Sequence, residues 1–158
     1  MTITEQFKAK RCVFSIECFP PKQTTQMDKL KDTLRQMQAM DPGFISVTFG
    51  AGGSAGGVST AEVADYIQNE LHIPTLAHLI CMGNDEASAA AVLNQLDAIG
   101  VRDVLALRGD LPKEGEPCHD FAYAAELIDF IHQQGDFCVG AACYPEGHPE
   151  SGSRAKDM

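Results

Sequence analysis

A notable polar residue recurs at the end of an apolar run about every 30 residues, and this spacing limits the fold more than any other feature. Glu17 closes "VFSIE", Thr48 closes "FISVT", His78 sits in "PTLAHLIC", Arg108 follows "VLAL" and Tyr144 follows "CVGAAC". The gaps between them are 31, 30, 30 and 36 residues. Apolar runs so far apart cannot be joined as hairpins. Each pair needs a crossover, which makes successive strands parallel. In parallel α/β folds, sites form at the C-terminal ends of the strands. The five residues are therefore expected to share one mouth.

The segments between the runs read as helices. The pattern predicts strands over 12–17, 44–48, 74–79, 104–107 and 138–142, with helices over 24–40, 59–71, 86–99 and 121–132. Met27, Leu30, Leu34, Met37 and Met40 recur at helical spacing and are expected to form a core stripe. Thr24 or Thr25 is expected to cap that helix, and Pro42-Gly43 to end it. Ser59 and Glu62 have the spacing of a capping box. Two architectures satisfy this pattern. One is an open doubly wound sheet of five strands; the other is a (β/α)8 barrel of which the chain holds the first five strands and four helices. The 158 residues read as one domain, with no linker and no low-complexity segment.

Composition narrows the function. A net charge of −10 argues against nucleic acid or an anionic membrane as partner, since both require clustered Lys and Arg. No apolar run is long enough to span a bilayer, and "MTITEQFKAKR" lacks the apolar core of a signal peptide, so a cytoplasmic location is expected. The six cysteines include no C-x-x-C pair and are expected to be free, mostly buried thiols.

Individual motifs carry different weight. The stretch "VFSIECFPPK" places Glu17 at the end of an apolar strand, where an ionised group is costly unless it is paired or functional. "GAGGSAGG" follows the second strand and formally matches the relaxed dinucleotide fingerprint, but the next strand, "PTLAHLIC", ends without an acid for a ribose. A loop that lets backbone approach a ligand reads equally well. In "LALRGD", Arg108 offers a fixed cation for phosphate and Asp110 a carboxylate for a polar heterocycle; a mutual ion pair is the structural alternative. "CYPEGHPE" presents Tyr144 and His148 from one loop, while Cys143, Glu146, His148 and Glu150 fit no standard zinc set. Cys81 and Cys143 lie near strand ends without the Cys/His/Asn arrangement of a thiol nucleophile.

Taken in order, "FSIECFPPK", "FISVTFGAGGS", "LAHLIC", "LALRGDLP" and "AACYPEGHPE" resemble the methylenetetrahydrofolate reductases. That family uses FAD and NADH or NADPH to reduce 5,10-methylenetetrahydrofolate to 5-methyltetrahydrofolate, in a ping-pong order. The resemblance covers the chain from Val13 onward and implies the (β/α)8 TIM barrel. It implies that Glu17 is the proton donor that opens the folate's five-membered ring. It further implies that Thr48, His78, Arg108, Asp110, Ala142, Tyr144, His148 and Asp157 contact FAD, with Asp110 tuning the flavin. Burial at a strand end is expected to favour the protonated form of Glu17. A homo-oligomer is implied for the full-length protein.

Departures from the family pattern are Cys18 where Phe is usual, Ile80 where Thr is common, and Cys143 in place of a small residue. A larger one is length: a chain ending at Met158 is expected to be a truncated barrel with two open sheet edges. Its own activity is then expected to need the later strands. The alternatives are a flavin-binding remnant without turnover and a Rossmann-type NAD dehydrogenase.

Overall fold

A computed structural model describes residues 2–10, 12–50, 57–110, 120–148 and 151–153. Five strands form one sheet: β1 (Ser15–Cys18), β2 (Phe44–Val47), β3 (Thr75–Ile80), β4 (Asp103–Leu107) and β5 (Cys138–Ala141). Their spatial order is β1-β2-β3-β4-β5, and every neighbouring pair is parallel. The helices are α1 (Ile3–Ala9), α2 (Met27–Gln38), α3 (Thr60–Asp65), α4 (Glu86–Ala98) and α5 (Ala124–Gln134). A 3₁₀ turn over Thr24–Gln26 leads into α2, and a π-helical turn over Tyr66–Glu70 extends α3.

The strand order decides between the two architectures. A doubly wound sheet reverses its order at a switch point, which sends helices to both faces. Here the order never reverses. Crossovers of one hand then place α2 to α5 on a single face. Burial agrees: Ile45, Val47, Ala77, Leu79, Val104 and Ala106 are wholly buried and share one face by register. They meet Leu34, Val63, Ile67, Leu93, Leu96, Leu127 and Ile131 from the helices. The opposite face carries Glu17, Ser46, Leu76, His78, Ile80, Leu105 and Leu107. Apart from Ser46 and His78, these are half-buried or exposed. This is the concave side of a (β/α) barrel arc, and the doubly wound alternative, with the Rossmann-type dehydrogenase that needs it, is set aside.

Local chemistry explains most element boundaries. Ser59 Oγ accepts from the Glu62 N–H at 3.1 Å while Glu62 Oε2 accepts from the Ser59 N–H at 2.8 Å, so the expected capping box starts α3. Asp85 and Ser88 make the equivalent box for α4. Gly100, at φ +77°, follows α4 and turns the chain into β4.

Three expectations are corrected. Thr24 opens the 3₁₀ turn rather than capping α2, and Gln26 precedes α2 without a side-chain cap. The helix ends at Gln38, so Met40 falls outside the apolar stripe and is 60% exposed. α5 begins at Ala124 rather than 121, because Glu126 Oε2 accepts from the N–H groups of Ala122 at 2.6 Å and Tyr123 at 3.1 Å. Phe121 instead packs edge-on against Phe130, with centroids 5.3 Å apart.

No hydrophobic period in the sequence predicted α1. This helix lies at the N-terminal ends of the strands. Its Ile3 N–H donates to Asp103 Oδ1 at 3.2 Å, Thr4 Oγ1 lies 3.0 Å from Cys138 Sγ, and Gln6 Nε2 donates to the Gly43 carbonyl at 2.6 Å. Phe7 meets the Phe44 ring edge-on at 6.2 Å. α1 therefore covers the floor of the concave face from β2 to β5. Gly43 leaves room for this packing: a Cβ would lie 2.6 Å from Val13 Cγ1 and 2.7 Å from Gln6 Oε1, so both side chains would have to shift.

Candidate active site

The strands extend at their C-terminal ends into an ordered rim. The Thr48 N–H donates to the Cys18 carbonyl at 3.0 Å, Cys81 N–H to Leu107 at 2.9 Å, and Met82 N–H to Arg108 at 3.0 Å. Beside β2, the buried Thr60 hydroxyl donates to the Thr48 carbonyl at 3.0 Å and accepts from the Gly50 N–H at 2.9 Å. After β4, Gly109 adopts φ +80°, and a Cβ there would lie 3.2 Å from Ile80. Only glycine lets the chain turn past β3 at this point. After β5, the Gly147 N–H donates to the Tyr144 carbonyl at 2.9 Å, closing a turn with Pro145 at its second position.

Glu17 and His78 come together on the concave face. Oε2 of Glu17 lies 3.7 Å from Nε2 of His78, across the intervening strand β2. The two side chains differ in environment: His78 is 9% exposed and Glu17 is 50% exposed. The expectation of a buried Glu17 is therefore corrected. β1 is an edge strand among the described residues, so its concave face is covered from one side only. Burial falls on the imidazole instead. Burial holds the His78 pKa below the usual histidine value, and the Glu17 charge opposes it with a smaller effect. The imidazole is thus kept neutral, facing a carboxylate. Among the described residues, Nε2 has no hydrogen-bond partner.

The other candidate residues line the same rim. Thr48 and Arg108 are half-buried, while Asp110 and Ala142 are exposed. Tyr144, 53% exposed, meets His148 edge-on with centroids 4.7 Å apart. The chain thus brings Glu17 to His78 and Tyr144 to His148, and sets Thr48, Arg108, Asp110 and Ala142 at the ends of β2, β4 and β5. Asp157, residues 51–56 of the glycine-rich loop, Glu150 and Cys118 lie outside the described residues.

The two buried thiols near the rim, Cys18 and Cys81, are poorly suited to act as nucleophiles. Burial, with a smaller contribution from Glu17, pushes Cys18 up to about 12. Burial pushes Cys81 up to about 11. Both stay protonated at neutral pH, where a nucleophile needs a thiolate. Among the described residues Cys18 and Cys81 are buried, Cys138 is half-buried, and Cys12 and Cys143 are exposed, so the expectation of mostly buried thiols is met in part. Among the described residues, no helix is long and apolar enough to cross a membrane.

Sequence reading missed two polar anchors. Thr60 follows the Ser59 cap in sequence, and its hydroxyl ties the loop after β2. Asp103 opens an apolar strand and lies buried at the opposite end of the sheet, where burial raises its pKa and the Ile3 N–H opposes this. A cleft of about 360 Å³ lies there too, lined by Thr2, Gln68, His72, Arg102 and Asp103 among others. It is at the wrong end for the chemistry of a parallel barrel, whose strands present their sites at the C-terminal face.

Residues 2–158 match the family described as "Methylenetetrahydrofolate reductase". The chain is 38% identical over 149 residues to methylenetetrahydrofolate reductase 2 of Schizosaccharomyces pombe, covering 87% of this chain and 22% of that protein. It is 32% identical over 144 residues to the 5,10-methylenetetrahydrofolate reductase of Pectobacterium carotovorum, covering 91% of this chain and 47% of that protein. It thus spans under half the length of both relatives. Among solved structures it resembles the 4-hydroxy-tetrahydrodipicolinate synthase of Methylacidiphilum fumariolicum, with a TM-score of 0.59 at 15% identity over 85% of this chain and 45% of that one. At that identity the likeness speaks to the fold, a TIM barrel.

Proposed function

The chain belongs to the methylenetetrahydrofolate reductase family, and from that membership we propose that it carries the proton-donating and flavin-binding part of the reductase. The reaction is reduction of 5,10-methylenetetrahydrofolate to 5-methyltetrahydrofolate, with NADH or NADPH as the reductant and FAD between them. The observation that carries this reading is the Glu17–His78 pair, 3.7 Å apart on the concave face at the C-terminal ends of the strands.

The residues present suit a flavin. Ile80, Leu105 and Leu107 give the concave face a half-buried apolar surface. His78 adds a buried imidazole to that face. The rim adds a cation at Arg108, a carboxylate at Asp110 and the exposed ring of Tyr144. Thr48, His78, Arg108, Asp110, Ala142, Tyr144 and His148 would hold the cofactor, joined by Asp157 outside the described residues. FAD, once reduced by NADH or NADPH, would supply the hydride that the folate's one-carbon unit accepts. Glu17 supplies the proton. As the C–N bond to the bridging carbon breaks, its electron pair goes to nitrogen, which takes the proton from a carboxyl oxygen of Glu17. Arg108 neutralises phosphate charge, and Asp110 orients the polar edge of the ring system. Both relatives extend well beyond the matched segment. The complete reaction, a homo-oligomeric assembly and a cytoplasmic location are therefore proposed for this chain acting within a closed barrel.

A second reading, flavin binding without turnover, is favoured by the half-exposed Glu17, which lacks the burial expected of a proton donor. One titration starts the test: FAD is added to the purified chain and its fluorescence followed. Saturable quenching, weakened in Asp110→Ala, is expected. Absence of binding both by the chain alone and after adding the C-terminal part of a bacterial relative would refute the proposal. Reductase activity on adding the C-terminal part of a bacterial relative separates turnover from binding alone.

A further inference from the structure

Within the pair, His78 is the constrained member. It stands on β3, inside the sheet, with Leu105 of β4 as its register partner. Nε2 is buried, and no described residue gives it a hydrogen bond. A buried ring nitrogen left so is costly, and an acceptor that can move toward it removes the cost. Glu17 is that acceptor. It stands on the sheet edge, half-exposed, with a flexible side chain, and its Oε2 is 3.7 Å away. This separation is too long for a hydrogen bond and short enough for one side-chain adjustment to close it. Ser46, small and uncharged, is the register partner of Glu17 on the strand between. Glu17 is the charged group that acts on His78.

We propose that His78 is a positioning residue for Glu17: its Nε2–H donates to one carboxyl oxygen of Glu17 and turns the other toward the barrel mouth. A free carboxyl group rotates and presents either oxygen. Once His78 holds one oxygen, the proton that Glu17 carries must sit on the other, the oxygen that faces the substrate. The neutral imidazole can serve in this way without releasing a proton itself. The functional consequence rests on the reductase reading of Glu17, whereas the pairing rests on the geometry of these two side chains.

The test needs no cofactor. Imidazole ¹H–¹⁵N spectra of the chain, with His78 assigned through His78→Gln, report its tautomer and its titration. Carboxyl ¹³C spectra report the titration of Glu17. The proposal expects a neutral Nε2–H tautomer at pH 7 and a lower His78 midpoint in Glu17→Gln. It also expects the Glu17 midpoint to rise in His78→Leu by at least about 0.5 pH unit, roughly threefold in proton affinity. His78→Gln, which keeps an N–H of similar reach, should restore most of that shift. An Nδ1–H tautomer, or Glu17 and His78 titrations indifferent to each other's substitution, would overturn it. If His78→Leu fails to fold, the Glu17→Gln arm decides alone. A chain that passes these tests but binds no FAD, alone or with the C-terminal part of a bacterial relative, keeps the pairing and loses the reductase reading. A chain that binds FAD and fails them does the reverse.

Discussion

Replacing Gly43 by alanine should expose how tightly α1 seals the floor of the barrel arc. The φ of Gly43 lies outside the left-handed region, so the backbone accepts alanine and the cost is one of contact. A Cβ would lie 2.6 Å from Val13 Cγ1 and 2.7 Å from Gln6 Oε1, whereas carbon contacts are comfortable at about 3.5–4.0 Å. Both neighbours must retreat by roughly 1 Å, which in packed sites costs about 1–3 kcal/mol. Gln6 cannot retreat freely. The same amide donates through Nε2 to the Gly43 carbonyl at 2.6 Å, and losing that bond adds about 0.5–1.5 kcal/mol. The sum is about 2–4 kcal/mol, a fall of about 1–2 M in the urea midpoint at a typical slope. Gln6→Ala alone should cost about 1–2 kcal/mol. The double variant should cost less than the two singles added, by about 1 kcal/mol, because truncating Gln6 removes one of the two clashes. Urea unfolding followed by circular dichroism measures all four proteins. A Gly43→Ala cost below about 0.5 kcal/mol, or strict additivity, would mean that α1 does not pack on Gly43 as described.

Two further outcomes follow from burial. Because burial raises the Asp103 pKa, the folded chain holds that proton more tightly than the unfolded chain does. Its contribution is fully present below the model-peptide value and is lost as pH rises through the raised value. Asp103→Asn keeps an acceptor for the Ile3 N–H and removes the titration, so its stability relative to wild type should climb across that window. A pH-independent difference would defeat the argument. Alkylation of the native chain read by mass spectrometry should label Cys12 and Cys143 first, with Cys18 and Cys81 protected until unfolding; prompt labelling of Cys81 would contradict its burial.

The repeat was legible because it rests on periodicity. Parallel strands need crossovers, and crossovers have a minimum length, so the 30-residue spacing carried the architecture class on its own. Closure into a barrel was not legible from spacing. It depends on strand order, which the sequence pattern leaves open and which the family resemblance supplied. The rim residues were legible in place but not in environment. Glu17 follows an apolar run, yet edge position leaves it half-exposed, and no local pattern records which strand is an edge. α1 leaves one local trace in the sequence: Thr2 and Glu5 have capping-box spacing, and both bonds of the box form. Seven residues are too few for a hydrophobic period to stand out. Their partners, Gly43, Asp103 and Cys138, lie far along the chain.

That separation orders the assembly of the molecule. Each strand pairs with the one made just before it, so the sheet can grow in the direction of synthesis, one short loop closure at a time. α1 cannot follow that schedule. Ile3 must wait for Asp103, 100 residues later, and Thr4 for Cys138, 134 residues later. α1 precedes the sheet in the chain, yet it can dock in full only once β4 and β5 are in place, when strands two to five share a common floor.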